Sequence, residues 1–310
     1  MGRPAPGMSE GPGKRPSLRL RLLVRILRLF VRPHSRYEPD PWASRALMAH
    51  LKAPPLGGTV RAGTVGGIPG EWASRGEPAA TLLYLHGGAF VVCSPQTHRT
   101  ITVGFARRGF RVFAPAYRRA PEHRFPAALD DVVASYRGLL AEGHDPGQIA
   151  VAGESAGAGL ALSLLLRLRD LGLPQPAAAA LFSPWIDLAH TGATMRSNAE
   201  RDPMFHPDHA DAVARHYLGD ADPRTPLASP LYADLTGLPP LLIQAGDSEL
   251  LLDDSRRLAA RARAAGLDAT LTIWPGVPHG WQIFGALLPE AQRSLDQAAA
   301  FLHGHLAPGA

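Results

Sequence analysis

One cysteine in 310 residues, Cys93, leaves this chain without an intramolecular disulfide or a thiolate metal cluster. It reads as a small core side chain, and such sparing cysteine use fits a reducing, cytoplasmic setting. Long apolar runs are also missing. Arginines interrupt every apolar stretch near the N-terminus and no small-residue cleavage site follows, so that segment reads neither as a secretory signal nor as a membrane span. Pro6 stands where N-myristoylation needs Ser or Thr. No fixed-period repeat occurs, which excludes solenoids and propellers. A basic body is lacking too: the formal charge is +5, but residues 1–36 carry nine Lys or Arg against one acid, net +8, and the remainder carries 23 against 26, net −3. The basicity belongs to an N-terminal arm, which excludes a nucleic-acid-binding surface on the body.

What is present is ample for a core, with 45% apolar residues. Residues 1–17, rich in Gly and Pro, are expected to be a disordered arm. From 18 to about 50 the reading is an amphipathic N-terminal region, with Leu22, Leu23, Ile26, Leu27, Phe30 and Val31 on one helical face and Arg21, Arg25, Arg28 and Arg32 on the other. Residues 57–76 suggest loops and a short hairpin. Strand-like runs at 81–85, 110–114, 149–152, 178–182, 241–245 and 269–274 then alternate with helix-like runs at 97–108, 127–142, 158–171, 252–265 and 289–303. This alternation predicts an α/β fold over residues 51–310, a mostly parallel sheet covered by helices on both faces. The interval 187–230 breaks it and reads as an insertion near the carboxyl ends of the strands, where sites form.

The sequence Gly153-Glu154-Ser155-Ala156-Gly157 lies where a strand-like run passes into a helix-like one. The two glycines make room for a sharp turn that lifts the Ser155 hydroxyl above the sheet edge, with a helix N-terminus aimed at it. A serine becomes a nucleophile only if a base takes its proton and donors receive the charge on the attacked carbonyl oxygen. Gly87 and Gly88, after the strand at 81–85, can supply such N–H groups together with Ala156. Of 13 histidines, His279 follows the last strand-like run and is the candidate base; His34, His98, His144, His206 and His305 read as solvated. Its apparent pKa is expected at roughly 6 to 7. The acid that orients it should follow the strand at 241–245, where Asp247 and Glu249 both qualify; Asp253 and Asp254 open the next helix and complement its dipole.

These segments, taken in order as HGGAF, YRRAPEHRFPAALDD, GESAGA, SPWIDL, LPPLLIQAGDSELLLDD and PHGW, resemble the hormone-sensitive-lipase family of α/β-hydrolase esterases over about residues 40–305. The resemblance implies an α/β-hydrolase fold with a helical cap formed by the N-terminal helices and the insertion. It implies a catalytic set of Ser155, Glu249 and His279, because the family's acid stands four positions before the first of two adjacent acids. Two departures are Ala89, where a third glycine is usual, which should narrow the pocket slightly, and Ala116, where an aspartate is usual. The expected activity is hydrolysis of short or medium acyl esters through an acyl-enzyme, with no cofactor or metal. The expected partner is a small-molecule ester, with membrane-surface contact through the N-terminal helix and a homo-oligomer left open. The same machinery would serve an activated amide or an N-acetyl group. A non-catalytic receptor on this fold is the other alternative, and the presence of both Ser155 and His279 argues against it.

Overall fold

Short, β-branched or alanine-rich runs that are buried on both faces form the centre of a sheet, and amphipathic runs cover it. The computed structural model describes residues 8–10, 15–36, 40–50, 53, 57–78 and 80–307. In chain order the strands are β1 (Met8–Glu10), β2 (Thr59–Val65), β3 (Ile68–Ser74), β4 (Ala80–Leu85), β5 (Phe110–Pro115), β6 (Ile149–Glu154), β7 (Ala178–Phe182), β8 (Leu241–Gly246) and β9 (Ala269–Trp274). The helices are α1 (Leu18–Ile26), α2 (Pro41–Ala49), α3 (Arg99–Ala106), α4 (Ala127–Ala141), α5 (Ala156–Asp170), α6 (Thr194–Ser197), α7 (Pro207–Leu218), α8 (Leu252–Ala264) and α9 (Pro289–His305).

The sheet order is β1-β9-β8-β7-β6-β4-β5-β3-β2. Pairing is parallel from β1 through β5, while the β2–β3 hairpin and its junction to β5 are antiparallel. Every residue of β4, β6, β7 and β8 is buried, as expected of parallel strands with helices on both faces. The strand period of two divides the core between those faces. Leu83 and Leu85 join Val132 of α4, Leu162 of α5 and Leu258 of α8 on one side, and Leu82 and Tyr84 join Phe105 of α3 and Leu295 of α9 on the other. The register sets Leu85 beside Gly153, Glu154 beside Phe182 and Gly246 beside Trp274, so the carboxyl ends of the central strands share one edge. The loops that leave this edge carry the candidate residues.

Two expectations for the N-terminal arm need correction. Met8–Glu10 is not disordered but pairs in parallel with β9, whose outer edge offers unpaired backbone groups; residues 1–7 and 11–14 lie outside the described residues. Helix α1, continued by a wider turn over Leu27–Val31, buries Leu20 and Leu27 and exposes Leu22, Ile26 and Phe30. Its packed face contacts Trp274, Val277, Trp281 and Leu288, which accept Leu20 between them. Leucines fall on two sides of the helix with arginines between them, so periodicity alone does not pick the buried side.

Candidate active site

Ser155 sits between β6 and α5 with φ 55° and ψ −122°, in a region that only a tightly held turn imposes on a non-glycine residue. The turn is held by the Ser155 N–H donating to the Phe182 carbonyl at 2.8 Å and by its own carbonyl accepting from the Trp185 N–H at 3.1 Å. A Cβ at Gly153 would stand 2.2 Å from the Gly157 carbonyl oxygen, and one at Gly157 would stand 2.2 Å from that of Leu85. Close backbone approach therefore requires both glycines.

His279 leaves β9 on a turn whose next residue, Gly280, has φ 59°. Its Nδ1 lies 2.8 Å from Oε2 of Glu249, and both side chains are buried. Oε1 of the same carboxylate accepts from the Ser183 hydroxyl at 2.8 Å and from the Gly246 N–H. With Nδ1–H donated to Glu249, Nε2 carries the lone pair that a base needs. Asp247, the other candidate acid, faces elsewhere: its Oδ1 accepts from the Gly276 N–H at 2.9 Å and its Oδ2 lies 3.8 Å from Arg201.

The Gly-rich loop departs from expectation at one point. The Gly87 N–H donates to the buried Nε2 of His98 at 3.2 Å, so it is already engaged and is withdrawn as an oxyanion donor. Among the described residues the N–H groups of Gly88 and Ala89 find no protein acceptor, and Ala156, first in α5, has no preceding helical carbonyl to bond. Ala89 takes φ 55°, the conformation that a glycine adopts without strain, and lines the pocket beside Ser155.

Sequence reasoning missed what lies beneath these groups. Glu154 is buried, with Oε2 at 3.3 Å from Nε2 of His98 and Oε1 at 3.4 Å from Nε2 of His279. His98 is thus a core residue and not a solvated one, and His206 lines the pocket. The only advance signal for Glu154 was its place directly before the serine. Asp202 and Asn198 fasten the acid loop from the insertion: Asp202 accepts from the Leu250 N–H at 2.9 Å, and Asn198 donates to the Glu249 carbonyl at 2.8 Å. Cys93 is not a rival nucleophile, since burial and the charge of Glu154 push its thiol up to about 12. Among the described residues no cluster of His, Cys, Asp or Glu could hold a metal ion.

Ser155 and His279 open into a pocket of about 80 Å³, walled by Trp185, Met195, Phe205 and Val213. The Phe205 ring meets the His279 ring edge to face at 5.2 Å. Burial alone would lower the His279 pKa, but the hydrogen bond and charge of Glu249, with Glu154 and Asp202 nearby, raise it to about 9. With His279 as the base, the acid limb of activity is expected above the ordinary histidine range. The base must be neutral, so kcat/KM is expected to fall about tenfold per pH unit on acidification below that value. A pH–rate profile on a neutral ester checks this, and a flat profile between pH 6 and 8 with chemistry rate-limiting would contradict a histidine base.

A family model described as the α/β hydrolase fold matches residues 82–283. An acetyl-hydrolase of Streptomyces hygroscopicus is 47% identical over 241 residues, 77% of this chain and 81% of that protein. An esterase of Acinetobacter venetianus is 36% identical over 282 residues, 89% of this chain and 93% of that protein. The crystal structure of an esterase from the bacterial hormone-sensitive lipase family has 40% identity and a TM-score of 0.88, covering 95% of this chain and all of that one. With these matches over nearly its whole length, and with Ser155, Glu249 and His279 occurring in that order on one sheet edge, the chain belongs to the hormone-sensitive-lipase-like family of α/β-hydrolase-fold enzymes.

Proposed function

We propose that the protein hydrolyses short-chain carboxylic esters through an acyl-enzyme on Ser155. His279 Nε2 takes the hydroxyl proton as Oγ attacks the ester carbonyl carbon. The resulting oxyanion is held by the N–H groups of Gly88, Ala89 and Ala156, and Glu249 balances the imidazolium charge. Collapse breaks the bond to the alkoxy group, which leaves with the proton from His279. Water, activated by the same nitrogen, then releases the acid and restores the serine. The observation that carries this reading is the buried Glu249–His279 hydrogen bond in a pocket shared with a strained serine.

The substrate is a small-molecule ester. The pocket, about 80 Å³, is roughly half the ~150 Å³ of an engineered cavity that holds benzene, which favours acetyl to butyryl groups over long chains. The relative named an acetyl-hydrolase supports the same end of the range. The single cysteine fits a cytoplasmic setting, and the N-terminal helix is the element that would meet a membrane surface. Among the described residues no helix is long and apolar enough to cross one. A p-nitrophenyl ester series tests the chain-length reading: kcat/KM should peak between acetate and butyrate and fall for octanoate and longer, and a maximum at decanoate or beyond would overturn it.

A further inference from the structure

Large apolar side chains are exposed in a strongly uneven way. Of ten among the described residues, eight fall between residues 18 and 47. Leu18, Leu22, Leu29 and Phe30 are 75%, 60%, 68% and 68% exposed, and Ile26 is 44% exposed. Their spacing of three and four residues lays them in one stripe along the outer face of α1 and the turn that continues it. Leu287, 60% exposed, adjoins the stripe where the Arg19 guanidinium donates to its carbonyl at 3.4 Å. Beside the stripe run Arg21, Arg25 and Arg28, and residues 18–36 contain no Asp or Glu. The guanidinium groups of Arg21 and Arg25 make no hydrogen bond or ion pair among the described residues.

The exposure is not that of a loose end. The opposite face is locked down, with Leu20 fully buried and the Ser17 N–H and hydroxyl both donating to the Glu290 carboxylate, at 3.0 and 3.1 Å. Arg28 and Arg32 donate to the carbonyls of Arg201 and Ala199, so the helix rests against the segment that carries Asp202 into the pocket wall. An apolar stripe of this length is seldom left to water on a monomer. A second copy of the chain is a poorer occupant, because a two-fold contact through this face would gather Arg21 and Arg25 of both copies with no acid from residues 18–36 to offset them, and Glu200, the exposed acid beside the helix, is already paired with Arg32 at 3.0 Å.

We infer that the outer face of residues 18–31 docks on an anionic lipid leaflet, the leucines and Phe30 entering the acyl boundary and Arg21 and Arg25 meeting lipid phosphates. This holds the pocket wall beside a phase in which apolar esters dissolve. It goes beyond the esterase reading and does not depend on it.

The test is sedimentation of the full-length protein with vesicles of equal parts phosphatidylglycerol and phosphatidylcholine, against vesicles of phosphatidylcholine alone. Binding is expected to the anionic vesicles and to weaken in high salt. Arg21→Gln with Arg25→Gln should weaken it by about fivefold per arginine, and Leu22→Asp with Phe30→Asp should abolish it. All variants should keep the wild-type melting temperature and the wild-type rate on dissolved p-nitrophenyl acetate. Ser155→Ala should bind vesicles normally, which separates failure of this inference from failure of the esterase reading. Equal binding to both vesicles, binding insensitive to Leu22→Asp with Phe30→Asp, or a solution dimer dissolved by those changes without vesicle binding would overturn it.

Discussion

Ser155→Ala should lower kcat on p-nitrophenyl acetate by about 10⁶, the loss seen when one member of a serine triad acting as a unit is removed. The size follows from the chemistry, because without Oγ no acyl-enzyme forms and only oxyanion stabilisation and substrate binding remain. The fold should survive. The contacts that hold the turn are made by the backbone of residue 155, to Phe182 and Trp185, and alanine keeps the β-carbon that already tolerates φ 55°. Circular dichroism and a melting curve establish that the variant is folded before rates are compared. More than about a tenth of the wild-type rate in such a protein would remove Ser155 from its role, since loss of a true nucleophile costs orders of magnitude more.

The second large effect separates the two acids. Glu249→Gln should cost about 10⁴ in kcat, by analogy with a triad aspartate changed to asparagine. The carboxylate accepts from three donors, His279 Nδ1–H, the Ser183 hydroxyl and the Gly246 N–H. An amide has one oxygen and a nitrogen that can only donate, so it cannot satisfy all three. If the amide nitrogen faces His279, the ring must turn Nδ1 into the acceptor and place its proton on Nε2. The base is then blocked at the atom that should receive the serine proton. Asp247→Asn keeps a side-chain oxygen for the Gly276 N–H and should cost far less. Kinetics on both purified variants decide the matter: a crippled Asp247→Asn beside a near-normal Glu249→Gln would reverse the assignment.

The parts of the site legible in the sequence are those announced by a change of local pattern. Ser155 marks the point where a strand period gives way to a helical one, and His279 follows the last strand, so both positions follow from their neighbours. Asp247 and Glu249 both follow β8, and two residues of separation say nothing about which carboxylate turns inward. The family's spacing to Asp253 and Asp254 singled out Glu249, and the structure pairs that residue with His279. His98, Glu154, Asn198 and Asp202 stayed hidden because their partners are distant in the chain: Glu154 lies 56 residues from His98, and Asp202 lies 48 from Leu250. Gly87 misled for a related reason. Consecutive glycines are equivalent on paper, and which N–H is spent inside the protein depends on a histidine 11 residues downstream.

The fastening of the acid loop by the insertion bears on how substrate range could change over evolution. Asn198 and Asp202 hold the backbone at Glu249 and Leu250, and Asp202 also forms pocket wall, so a substitution there that reshapes the pocket also disturbs the machinery. Effects at such shared positions do not add. Ala210 and Val213 line the same pocket from α7 and take no part in those hydrogen bonds. Variation in acyl preference among descendants of this chain is therefore expected to collect on α7, while 198–202 changes little or changes together with the loop it holds.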